Sequence, residues 1–184
     1  HPPKDNQDSI ITVIKQFFDN KTFSFEDKNG FMEDVVNAGN RFITKKSISP
    51  AKVLALKSLE TAQRLNMEEF TIQNQLLLAE IYFIERKSDS AAYFVNRAEE
   101  KITGDFKNFE GSISHIRAKI SELKGDNRQA IEYYQQAIKH FESRNMTSQL
   151  ATVYDNLGTY HMELGNHDPA LDYILKAIQV NDGH

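Results

Sequence analysis

The chain has no cysteine and no tryptophan, and only four prolines and eight glycines in 184 residues. The absence of cysteine excludes disulfides, thiolate metal sites and a thiol nucleophile, and leaves the redox compartment open. Scarce glycine and proline leave no room for a long flexible linker, and no glycine-rich phosphate loop follows a strand. The longest apolar runs, Ile10–Ile14 and Leu76–Ile84, are too short or too interrupted to span a bilayer, so no membrane insertion is expected. A net charge of -4 supplies no basic face, which argues against nucleic-acid contact. The chain opens at His1-Pro2-Pro3 without a methionine and is read as a mature or trimmed product.

What is present is helical periodicity with internal repetition. Gly39, Ala79, Ala118 and Gly158 recur at intervals of 40, 39 and 40 residues. Two further columns run in parallel: Ala55, Ala91, Ala130 and Ala170, then Ala62, Ala98, Ala137 and Ala177. Three columns filled only by glycine or alanine predict helix pairs that approach closely at fixed places in each unit. A lone helix is expected over about Asp8–Phe18, with Ile10, Ile14, Phe17 and Phe18 on one side. Gly104-Asp105, Gly125-Asp126 and Gly165-Asn166 read as stops. Asp89 and Asp168 read as N-caps, Pro50 and Pro169 suit a first helical turn, and Lys45–Pro50 reads as a longer inter-helix turn.

The fourth unit carries Ala151, Tyr154, Leu157-Gly158, Gly165, Ala170, Ile174 and Ala177, and this pattern resembles the tetratricopeptide repeat. Its departures are Tyr160 one place early and His161 in an aromatic slot; the third unit has Ser114 and Arg117 at two large positions. The resemblance covers about residues 31–182 and implies an all-α, right-handed superhelical solenoid of antiparallel hairpins. Residues 1–30 would form the N-terminal helix and connection, followed by one continuous array of hairpins at 31–66, 70–103, 108–143 and 147–181. A period near 40 residues, against about 34 for the family, implies helices longer by about a turn.

By the same resemblance, the first helix of each hairpin lines an inner face, at its second, fifth, ninth and twelfth positions. These are Glu33, Val36, Asn40 and Ile43; Gln73, Leu76, Glu80 and Phe83; Ser112, His115, Lys119 and Glu122; and Thr152, Asp155, Thr159 and Met162. Such a mixed lining suits an extended peptide or a partner helix, whose backbone needs polar groups and whose side chains need apolar ones. The ligand candidates are therefore Asn40, Gln73, Glu80, Phe83, His115, Lys119, Glu122, Asp155, Thr159 and Met162. The carboxylate clamp found in some members of the family is absent, since Lys119 is the one cation in this set and Glu80 and Glu122 flank it.

No residue constellation suggests catalysis, a cofactor or a metal. His161, Glu163 and His167 do not share one helical face, and His161 reads as a packed core imidazole. Tyr133-Tyr134 and Phe17-Phe18 read as core, and Glu68-Glu69 and Glu99-Glu100 as solvated charge. In the last helix, Leu171, Leu175 and Ile178 form a second apolar stripe, so a further helix or a second copy is expected to cover it.

The expected function is a non-catalytic protein- or peptide-binding scaffold. Leu157-Gly158, Gly165-Asn166 and Ala170-Leu171-Asp172-Tyr173 resemble the N-terminal repeat regions of bacterial, Bacteroidetes-type signalling regulators, which implies a sensor segment in an extracytoplasmic setting. Two alternatives stay open: a cytoplasmic peptide-responsive regulator of the quorum-sensing kind, reading peptide backbone through Asn40 and Asn37, and a structural adaptor.

Overall fold

A computed structural model describes residues 4–20 and 28–182. Among these residues there are nine α-helices, one 3-10 segment and no strand: α1 Lys4–Asn20, α2 Lys28–Thr44, α3 Ile48–Arg64, α4 Glu68–Ile84, α5 Ser88–Glu99, the 3-10 segment Gly104–Phe109, α6 Glu110–Lys124, α7 Asn127–Ser143, α8 Thr147–Glu163 and α9 His167–Asp182. His1-Pro2-Pro3 and residues 21–27 lie outside the described residues, as does the side chain of Phe17. The chain divides into two compact units, His1–Lys101 and Ile102–His184.

One turn is used six times. At Lys46, Asn66, Arg86, Gly125, Asn145 and Gly165 the backbone enters the left-handed region, with φ between 54° and 75°. At each, that residue's N–H donates to the carbonyl three residues back, and the next N–H donates to the carbonyl five back; Asn66 to Gln63 and Met67 to Ala62 are typical. This closes the carbonyls that a helix end leaves open, in a Schellman arrangement. Within each unit the turns recur every 20 residues, at 46, 66 and 86 and again at 125, 145 and 165. A 17-residue helix, about 25 Å long, followed by a three-residue turn makes that step, as over α2, α3 and α4. From Arg86 to Gly125 the interval is 39, one residue short of two steps, and this stretch contains the 12-residue α5 and the 3-10 segment.

The first unit packs α2 on α3, α3 on α4 and α4 on α5, with α1 against α3. Its core joins Ala51, Ala55 and Leu59 of α3 to Leu77, Leu78 and Ile81 of α4, with Phe42, Ile43 and Phe94 at the edges. Helix α4 is buried nearly all round: Ile72 and the continuous run Asn74–Ala79 are all inside. Helix α3 buries a second flank as well, Pro50, Leu54, Ser58 and Thr61, and α1 packs on this helix. The counterparts of Leu54 and Thr61 in α7, Gln129 and Gln136, are exposed. Three buried oxygens in this unit, Ser58 Oγ, Asn74 Oδ1 and Gln75 Oε1, have no hydrogen-bond partner among the described residues.

The second unit is two hairpins, α6–α7 and α8–α9, joined where α7 packs on α8. Its core contains Ala118, Ala130, Tyr134, Ala137, Phe141, Leu150, Val153, Tyr154, Leu157, Tyr160 and Ala177. All twelve residues of the three small-residue columns are buried across the two units. Gly158 shows why: a Cβ there would lie 2.8 Å from Ile174 Cγ1 and 3.1 Å from the Ala170 carbonyl oxygen, so α8 and α9 meet backbone to backbone.

Four local expectations need correction or sharpening. The turn after α2 is three residues, Lys45–Ser47, and Pro50 lies inside the first turn of α3, where its missing N–H costs nothing. Asp89 and Asp168 lie within the first turns of α5 and α9, where they favour the positive helix end; neither is the cap. Asp126 does cap, accepting from the Gln129 N–H at 3.1 Å to start α7. Leu76, expected on the inner face, is 7% exposed and belongs to the core of the first unit.

Candidate functional site

The candidate residues divide between the units. In the first, Asn40 on α2 is exposed, while Gln73, Glu80 and Phe83 on α4 are half-buried. Gln73 Nε2 donates to Glu69 Oε1 at 3.4 Å, one turn back on the same helix. Around them the surface of α4 is thin, because most of the helix is enclosed. What this unit presents more fully is an aromatic and charged group at the far end of α4. Lys52 Nζ donates to both Glu85 oxygens, at 3.0 and 2.8 Å, and stands 4.1 Å above the Tyr82 ring, which stacks on Phe94 at 5.5 Å. Burial alone would lower the Lys52 pKa, and the hydrogen bond and charge of Glu85 together with Tyr82 outweigh it, so the pKa is raised.

In the second unit the candidates come together. Thr152, Asp155, Thr159 and Met162 form one exposed stripe along α8, with Met162 47% exposed. His115, Lys119 and Glu122 lie half-buried along α6. A 2.7 Å hydrogen bond joins His115 Nε2 to Asn156 Nδ2 and ties the two first helices directly. Beneath them, α7 contributes Tyr134, whose ring lies 5.9 Å from His115 and 6.4 Å from Tyr160. The Tyr134 hydroxyl donates to Glu122 Oε1 at 2.6 Å, and the Tyr160 hydroxyl donates to Asn127 Oδ1 at 2.8 Å. Burial pushes the Glu122 carboxyl above the ordinary carboxylate range, with Glu163 adding repulsion, while the Tyr134 hydroxyl and Lys119 pull the other way. Part of the face is therefore preorganised: His115 is held by Asn156 of α8 and Glu122 by Tyr134 of α7 before any ligand arrives.

His161 is in the slot expected for it. It is buried, stacks on Tyr173 at 5.6 Å with the rings 8° from parallel, and has its pKa lowered by burial. No group of three or more histidine, aspartate or glutamate residues able to hold a metal occurs among the described residues.

Residues 111–182 match the tetratricopeptide repeat family. The match runs from the first turn of α6 to the end of α9, the two hairpins that carry the joined face. No curated protein matches the chain. The chain is thus an all-α, tetratricopeptide-like helical repeat, and such repeats are generally protein-interaction scaffolds without catalysis of their own. No described helix is long and apolar enough to cross a membrane.

Asn156 and Tyr134 belong to this face and are not among the sequence candidates. Asn156 lies next to Asp155, the neighbour that the family's inner-face positions select. The signal for Tyr134 was available: a tyrosine twelve residues after Glu122, repeated by Tyr154 twelve after Glu142, whose hydroxyl donates at 2.7 Å.

Proposed function

We propose that the chain is the non-catalytic, peptide- or protein-binding sensor segment of a larger bacterial signalling or transcription regulator. Its reading surface is the α6–α8 face of the second unit. The observation that supports this reading is the His115–Asn156 hydrogen bond at 2.7 Å, which holds two polar-lined first helices at a fixed spacing. The exposed Thr152, Asp155 and Thr159 then offer polar groups to a peptide backbone, and Met162 an apolar contact to its side chains. Signal output would follow from a small change in the angle between α6 and α8 on binding.

The test is selection of binding peptides from a displayed library, followed by titration of the selected peptides. The combined variant Asp155→Ala, Thr159→Ala, Met162→Ala should weaken binding by at least about tenfold, the equivalent of ~1.4 kcal/mol. The control Glu132→Ala, on the exposed side of α7, should leave it unchanged. Undiminished binding by the triple variant sinks this surface and favours the adaptor reading. Loss on Asn40→Ala would instead favour the peptide-responsive regulator.

A further inference from the structure

The seam between α6 and α8 has a counterpart in the first unit, between α2 and α4, and the two differ in kind. Aligned on Gly39, Ala79, Ala118 and Gly158, the places of His115 and Asn156 are held in the first unit by Val36 and Leu77. Two helical turns further on, the places of Glu122 and Glu163 are held by Ile43 and Ile84. Helix α2 packs on α4 with apolar residues at all four places, so the stacking of first helices does not call for polar ones. The second unit has polar groups at all four.

The first of its two pairs is satisfied, because His115 and Asn156 share a 2.7 Å hydrogen bond. The second sets like charges on one seam. Glu163 repels the Glu122 carboxylate more than Lys119, one turn back, attracts it, so the resident lysine does not neutralise the pair. The backbone adds to the same field. Glu122 lies in the last turn of α6 and Glu163 closes α8, where the carbonyls of a helix end carry about half a negative charge. Asp126, the cap of α7, acts on Tyr160 together with these two carboxylates. One end of the face is therefore negative from side chains and backbone alike, and such a field attracts positive charge.

We infer that the ligand of the α6–α8 face is a basic peptide, one lysine or arginine side chain of which enters the seam between Glu122 and Glu163. This rests on α6–α8 being the reading surface and names the chemistry of what it reads. The Tyr134 hydroxyl donates to Glu122 Oε1 at 2.6 Å and so orients one carboxylate, while Glu163 is exposed and can turn towards the incoming cation. Met162, 47% exposed and next to Glu163, offers apolar surface to the methylene stem of a lysine or arginine. A bare metal ion is the poorer fit, since no group of three histidine, aspartate or glutamate residues able to hold one occurs among the described residues.

Peptides selected from a displayed random library on the full chain should carry lysine or arginine at one fixed place. Replacing that residue by glutamine should weaken binding at least about tenfold. The double variant Glu122→Gln, Glu163→Gln keeps side-chain size and an acceptor for Tyr134; it should lose about as much affinity and most of the salt dependence of binding. Glu132→Gln, a carboxylate on the exposed side of α7, should change neither. Without any peptide, Glu163→Gln should raise the melting temperature at pH 8 by ~2 °C, because it removes one of two repelling charges. Peptides that depend on Asp155, Thr159 and Met162 but bind the double variant as well as the original chain, or that carry no basic residue, overturn the inference and leave the face standing. Peptides indifferent to Asp155, Thr159 and Met162 sink the face and the inference with it. A melting temperature that Glu163→Gln leaves unchanged or lowers shows that the two carboxylates do not repel, and overturns the inference as well.

Discussion

The two units use one backbone plan and treat their buried polar groups in opposite ways. Both are built from helices closed by the same left-handed turn, and both sink the same alanine and glycine columns. In the second unit, Tyr134, Tyr154 and Tyr160 each donate to a defined acceptor, and His161 stacks on Tyr173. The first unit buries Ser58, Asn74 and Gln75, each with an oxygen that has no partner among the described residues. A buried acceptor without a donor costs roughly 1–3 kcal/mol, whereas a satisfied pair is neutral to favourable. The plan of a helical repeat is therefore set by its small residues, while the definition of its surface depends on where the polar groups go.

The largest expected effect tests the shared plan. Gly158→Ala drives a methyl group into the Ala170 carbonyl and Ile174, and should destabilise the second unit by about 1–3 kcal/mol. Unfolding followed by a probe confined to each unit should place that loss in the second. Next come paired substitutions that should have opposite signs. Gln75→Met removes an unpartnered acceptor at similar volume and should stabilise the first unit by about 1 kcal/mol. Tyr134→Phe removes a donor from Glu122 and should cost about the same in the second. Equal signs in chemical denaturation would break the comparison. The turns give a smaller contrast. Arg86 occupies a left-handed position without being glycine, at φ 58°. Arg86→Gly should be neutral to stabilising by up to ~1 kcal/mol, whereas Gly125→Ala, at φ 74°, should cost about 1 kcal/mol.

The smallest effect is in pH dependence. Burial lowers the His161 pKa from its ordinary 6.5, so the folded chain holds the neutral form more strongly than the unfolded chain does. The stability from this residue is complete above pH 6.5 and is lost as pH falls through the lowered folded value. His161→Phe keeps a ring against Tyr173 and should flatten that part of the melting-temperature profile; an unchanged slope would exclude His161 as its source.

Much of this was legible in the sequence because close approach has few chemical solutions. Where two helices touch, only glycine or alanine fits, and Gly39, Ala79, Ala118 and Gly158 therefore stand out without any alignment. Four of the six turns were invisible for the converse reason. The left-handed turn accepts Lys46, Asn66, Arg86 and Asn145 at a modest strain, so no glycine marks them. Leu76 was misplaced because α4 is apolar on nearly every side, and periodicity cannot orient such a helix. Of the joined face, the family resemblance supplied His115, Lys119 and Glu122. Asn156 and the Tyr134 hydroxyl come from neighbouring turns and helices and depend on the tertiary fold.

The twenty-residue step limits how such a chain can grow. First and second helices alternate with every step, so an inserted or deleted segment of twenty residues would exchange their roles downstream and put the alanines of one column where the bulky residues of the other belong. Segments of forty leave every later side chain in its own environment. At the level of the gene, the unit that can be copied or lost without redesign is the hairpin and never the single helix. The 39-residue interval between Arg86 and Gly125 departs from that rule by one residue, and a 3-10 segment lies within it.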